Sequence, residues 1–122
     1  MKKTLSLIVA LVLVFSMALS LSATACAEEK IVIGFSPMTL VNEYFSAVLG
    51  AVEKVCEEND VELITYDPQS DSTVQATQID DMISAGIQAL VYIPVDSAGG
   101  RTVMQACKDA DVYVVNIDNV VI

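Results

Sequence analysis

Beyond an apolar leader, the chain alternates between short β-branched runs and segments whose apolar residues recur every three or four positions. The runs lie at 31–35, 61–66, 89–93 and 112–117. The first, third and fourth are almost continuously apolar, the pattern of strands covered on both faces. The second is interrupted by Glu62 and Thr65, which suits a sheet edge. Between the first two runs, Phe45, Val48, Val52, Val55 and Cys56 share one helical face, with Glu53, Lys54, Glu57 and Glu58 opposite. Asn59 and Asp60 end that helix. A second helix is predicted over 73–85, with Ile79, Met82, Ile83 and Gln75 inward and Gly86 placed for a left-handed cap. A third, over 101–109, presents Val103, Ala106 and Cys107.

Strand and helix in strict alternation predict an α/β fold in three layers: a parallel sheet with helices on both faces. Right-handed crossovers constrain it further, and the flavodoxin-like strand order 2-1-3-4 satisfies them. In that order the first helix covers one face and the other two cover the second. Cys56 and Cys107 then lie on opposite sides of the sheet, too far apart for a disulfide.

The leader is a separate matter. Lys2 and Lys3 precede an apolar stretch over 5–21, and small residues follow as far as Ala27. Basic, apolar and small regions in that order are the layout of a secretory signal over 1–27, leaving one domain over 28–122. Two cuts fit. Ala25-Cys26-Ala27 releases a chain starting at Glu28, whereas Ala23-Thr24-Ala25-Cys26 resembles a lipobox in which Cys26 becomes the lipid-modified first residue. Export to a periplasm or cell surface follows from either, and contact with a membrane arises only through that lipid anchor.

Once the leader is set aside, Lys30, Lys54, Arg101 and Lys108 stand against 16 carboxylates, a formal charge of −12. Such a surface disfavours nucleic acid as a partner. The chain contains no histidine, which removes Ser-His-Asp and Cys-His nucleophiles and, without a C-x-x-C pair, leaves no plausible zinc site. The turn after the first strand has neither G-x-G-x-x-G nor G-x-x-x-x-G-K-[ST], so no nucleotide cofactor is expected.

Ligands of a doubly wound sheet bind at the carboxyl ends of its strands, near the reversal of strand order. The segments leaving those ends offer Ser36, Asn42, Tyr44 and Phe45 after the first strand, and Asp118 and Asn119 after the fourth. Carboxylates and amides pair with vicinal hydroxyls, and aromatic faces cover the apolar side of a sugar ring. Asp67 and Asp96 carry turn and cap chemistry instead, and Asn42 is also a good helix cap.

Three stretches together resemble the sugar-binding periplasmic proteins of the ribose/galactose type, with the type I periplasmic-binding fold. They are Ile31-Val32-Ile33-Gly34-Phe35-Ser36 leading to Asn42-Glu43-Tyr44-Phe45, the run 78–97 from Gln78 to Ser97, and Val114-Val115-Asn116-Ile117-Asp118. The resemblance implies a non-enzymatic receptor that delivers a small sugar to the membrane permease of an ABC-type importer. An alternative role for the same fold is a ligand-presenting subunit for a chemoreceptor or histidine kinase. It implies that Asn42 and Asp118 bond sugar hydroxyls and that Tyr44 and Phe45 stack, with Ser36 a minor contact. Where ribose-type members often carry arginine after the aspartate, this chain has Asn119, which leaves the sugar unspecified. It also implies two lobes, of which this sequence matches the N-terminal one, truncated; sugar binding by that part alone is expected to be weak.

Overall fold

The computed structural model describes residues 30–121, so the predicted signal over 1–27 and Cys26 lie outside the described residues. The elements are β1 (Val32–Ser36), α1 (Glu43–Glu58), β2 (Glu62–Thr65), α2 (Ser72–Ser84), β3 (Ala89–Tyr92), α3 (Ser97–Asp109) and β4 (Tyr113–Asn116). All strand pairs are parallel, in the order β2-β1-β3-β4. The expected order is therefore the observed one.

Alternation along β1 distributes its side chains between two cores. Phe35 points to the α1 side, where it packs with Phe45 and Ile93 and with Val48, Leu49 and Val52. Gly34 faces the other way, towards Met82, Ile87 and Leu90. That second core holds Ile79 and Met82 from α2, Leu90 and Tyr92 from β3, and Val103 and Cys107 from α3. Cys56 sits on α1 and Cys107 in the α2–α3 core; both are free and buried. Burial pushes the Cys107 thiol up to about 11, with Asp80 adding to the rise, and burial raises the Cys56 thiol too. Both stay protonated and inert at neutral pH.

Helix ends follow local chemistry. Asn42 caps α1, Asp71 accepts from the Thr73 and Val74 amides at the start of α2, and Asp96 accepts from Gly99 at the start of α3. Gly86 has φ +87 after α2, the left-handed turn expected there.

Three expectations are corrected. Helix α3 starts at Ser97, not Arg101, because the Asp96 cap carries the helix through Gly99 and Gly100. Val55 is exposed rather than inward, and Leu49 packs on the sheet instead. Finally, the apolar run of β4 is not covered on both faces: as the expected order 2-1-3-4 itself requires, β4 is an edge like β2, with Tyr113 80 % and Val115 54 % exposed. On that side α1 reaches across β2, and nothing among the described residues covers β4.

Candidate ligand-binding site

Because every strand runs the same way, all four carboxyl ends open on one rim. Ser36, Tyr92 and Asn116 are in register across β1, β3 and β4, and Phe35 pairs with Thr65 of β2. The strand-order reversal falls between β1 and β3. The segments leaving the strands at 37–42, 66–71, 93–96 and 117–121 contain no lysine or arginine.

The first two segments are bound together. The Asp67 carboxylate accepts from the Leu40 amide at 3.2 Å and from the Gln69 amide at 2.9 Å, and the Ser70 amide donates to the Met38 carbonyl at 3.0 Å. Gln69 and Ser70 both take positive φ, which turns the chain back along the rim. A shallow cleft lies between these segments, lined by Thr39, Val41, Asn42, Asp67, Gln69 and Ser70. Asp67 is thus a turn residue, as its Asp-Pro context predicts. Asp96 is likewise a cap: the Gly99 amide, then the Ser72 hydroxyl, hold its carboxyl below the ordinary value.

Of the residues read from the sequence as ligand contacts, three are open on the rim. Asn42 is exposed; its Oδ1 accepts from the Tyr44 amide at 2.9 Å, so Nδ2 is the atom it can turn to a ligand. Tyr44 is 54 % exposed and meets Phe45 edge-on, with centroids 5.1 Å apart at 70°. Asp118 is exposed, two residues past β4, with φ +64. Strands β1 and β4 are separated by β3, which sets the two halves of the rim roughly 10 Å apart.

The other three are placed differently. Phe45 packs into the α1-side core against Phe35 and Ile93, with 6 % of its surface open, so it supports the Tyr44 ring from below. Ser36, read as a minor contact, is enclosed, and its hydroxyl receives the Gln75 side-chain amide at 3.1 Å. Asn119 donates from Nδ2 to the Pro94 carbonyl at 3.1 Å and braces the neighbouring segment. Sequence reasoning missed Asn116 altogether. Its Nδ2 donates to Tyr92 and Asn119 carbonyls and its Oδ1 accepts from Val121. An amide closing an otherwise apolar strand was the available signal.

Chemically, the rim offers a free carboxylate, an amide and an exposed phenol ring, with no cation to attract an anionic ligand. No cluster of His, Cys, Asp or Glu suited to a metal ion occurs among the described residues. A larger groove on the β4 flank, lined by Arg101, Met104, Lys108 and Tyr113 among others, lies along α3 rather than on the rim.

The parallel doubly wound sheet sets its open polar groups along one carboxyl-end rim, the place where sheets of this class bind ligands. The chain belongs to the periplasmic binding protein family: the model of the periplasmic binding protein domain matches residues 33–120. It is 32 % identical to the ribose import binding protein of Bacillus subtilis over 125 residues, covering 97 % of this chain and 41 % of that protein. It is 34 % identical over 106 residues to a D-ribose/D-allose-binding protein of Pseudomonas aeruginosa, covering 83 % of this chain and 33 % of the relative. Among solved structures, an ABC transporter solute binding protein of Mycobacterium smegmatis with bound glycerol superimposes with a TM-score of 0.72 at 32 % identity, over 75 % of this chain and 32 % of that one. Another from Bacillus halodurans, with bound myo-inositol, gives 0.69 at 27 % identity, over 79 % and 33 %. The chain therefore spans about two fifths or less of the length of these relatives.

Proposed function

We propose that this chain supplies one ligand-binding rim of an extracytoplasmic sugar receptor, which hands its ligand to the membrane permease of an ABC-type importer. The observation that carries the reading is the rim itself: Asn42 and Tyr44 open beyond β1 and Asp118 beyond β4, on the two sides of the β3 exit, with no basic residue on the segments between them. A neutral polyol satisfies that set, because its hydroxyls donate to the Asp118 carboxylate, accept from the Asn42 amide and leave a C–H face for Tyr44. Relatives named for ribose and allose, and a solved relative with bound myo-inositol, agree with this ligand chemistry.

The test is a titration of the chain recovered after export, followed residue by residue by NMR, with ribose, allose, myo-inositol and glucose. Among the described residues the rim has no facing surface, so affinity is expected near the millimolar level, about 4 kcal/mol. Shifts should gather at Asn42, Tyr44 and Asp118, and Asp118→Asn should weaken binding roughly tenfold by removing charge-assisted hydrogen bonds. Shifts spread over the α3 groove, or no response to any of the four polyols, would end this reading.

Export belongs to the same proposal. The mass of the recovered chain distinguishes a start at Glu28 from a lipid-modified Cys26. An intact leader on a membrane-inserted chain would contradict both cuts.

A further inference from the structure

We infer that Gln75 is a positioning residue of the rim, holding the exits of β1 and β3 together so that the ligand groups on either side keep their spacing. This rests on the rim reading proposed above.

Gln75 lies on α2 one turn before Ile79 and two before Met82, on the face that packs against the sheet, and 1 % of it is exposed. Its neighbours on that face are apolar, yet its amide is fully engaged. Nε2 lies 3.1 Å from Ser36 Oγ, 2.9 Å from the Pro37 carbonyl and 2.9 Å from the Ile93 carbonyl, while Oε1 accepts from the Val95 amide at 2.9 Å. Two of these partners leave β1 and two leave β3, the strands at the reversal of order.

The β3 exit is gripped from its other side as well. The Asn116 Nδ2 donates to the Tyr92 carbonyl at 3.2 Å and the Asn119 Nδ2 to the Pro94 carbonyl at 3.1 Å. Four consecutive residues, Tyr92, Ile93, Pro94 and Val95, thus each have a main-chain group held by an amide side chain. That segment lies between the β1 exit, which leads to Asn42 and Tyr44, and the β4 exit, which leads to Asp118. Asn116 and Asn119 tie it to β4, and Gln75 ties it to β1. Gln75 therefore couples the two halves of the ligand set without touching ligand.

An amide is required because the position must donate and accept at once. Methionine fills the space but leaves the Pro37 and Ile93 carbonyls and the Val95 N–H unpaired in a buried site. Glutamate has nearly the same shape and puts a carboxyl beside two carbonyl oxygens. It can donate only when protonated, so folding raises its pKa above the unfolded value of about 4.3. A raised acid pKa means the native state binds more protons than the unfolded state. Stability of Gln75→Glu is then full below about pH 4.3 and falls as pH rises towards the folded pKa.

The experiment uses the chain recovered after export and three readouts. In the unsubstituted protein, the Gln75 side-chain amide protons should exchange at least roughly tenfold more slowly than those of exposed Gln69 and Gln105. In Gln75→Met, exchange at the Val95 amide should speed up by roughly tenfold or more, and polyol affinity should fall by about the same factor. Ile79→Val, a core change in the same helix, should lower stability but change affinity less than about twofold. Gln75→Glu should lose more stability between about pH 4.3 and 7 than the parent protein does. Equal exchange of Gln75 and Gln105 side chains, a pH-independent Gln75→Glu, or an affinity loss matched by Ile79→Val would overturn the inference. Should the parent bind none of the polyols, the sugar reading fails, and the exchange and pH readouts still decide the role of Gln75. Should Gln75→Met not fold, the side-chain exchange of the parent decides it.

Discussion

Phe35→Ala should cost about 3–5 kcal/mol, the range for emptying a phenylalanine site in a packed core. Phe35 is fully buried near the carboxyl end of β1, and its ring is shared by the sheet and by α1 through Phe45 and Ile93. Little can collapse into the hole, because β1 is hydrogen-bonded to a strand on each side and cannot move towards α1. A domain of this size has roughly 5–10 kcal/mol of stability in all, so the variant should lose about a third of it or more. Loss of the ring also removes the surface against which Phe45 rests, and with it the support of Tyr44. Urea unfolding read by circular dichroism checks the claim, with the midpoint falling and the slope unchanged. A loss below about 1 kcal/mol would mean that the α1-side core is not organised around this ring.

Gly34→Val should cost about 3 kcal/mol by the opposite mechanism. A Cβ at Gly34 would stand 2.8 Å from Met82 Sδ, 3.0 Å from Leu90 Cδ1 and 3.1 Å from Ile87 Cδ1. Methionine can swing aside for one methyl, but valine adds two further carbons where α2 already lies against the sheet, and overpacking of that kind costs about 1–3 kcal/mol or more. β-Propensity alone favours valine over glycine in a strand, so the sign of the effect separates packing from propensity. Gly50 supplies the control. It lies within α1 with nothing within 4 Å of its would-be Cβ, and Gly50→Ala should raise stability by about 0.5–1 kcal/mol. Thermal unfolding of the two variants beside the parent should therefore give midpoints displaced in opposite directions. A stabilised Gly34→Val would show that α2 does not approach β1 as closely as Met82 indicates.

The rim depends on both contacts. Gly34 lets α2 come near enough for Gln75 to reach the Ser36 hydroxyl and Pro37 carbonyl two and three residues further along. Phe35, the neighbour on the opposite face, supports the helix that carries Asn42 and Tyr44 at its start. Consecutive residues of one strand thus set the two layers from which the ligand groups project.

Much of this was legible in the chain itself. Continuous apolar runs at 31–35 and 89–93 marked central strands, and both β1 and β3 are central. Glu62 and Thr65 marked β2 as an edge. Asp67 and Asp96 announced a turn and a cap because an Asx side chain satisfies amides within three residues of itself, a local bond that needs no knowledge of the fold. Gly86 marked a helix end for the same local reason. Tyr44 and Phe45 show where such reading stops. They are adjacent on one helical turn with similar apolar bodies, and the packing direction of α1 sends one ring into the core and leaves the other open.

Element order, parallel pairing and the segments that line the rim were thus determined by the sequence alone, since periodicity and turn chemistry act over a few residues and crossover handedness leaves little choice of topology. Only the tertiary structure decided that Val55 faces solvent and that Ser36, Gln75, Asn116 and Asn119 are braces. The reason is range: Gln75 meets partners 18 to 39 residues away, and an amide's partners at that distance exist only once the sheet has brought its strand ends together.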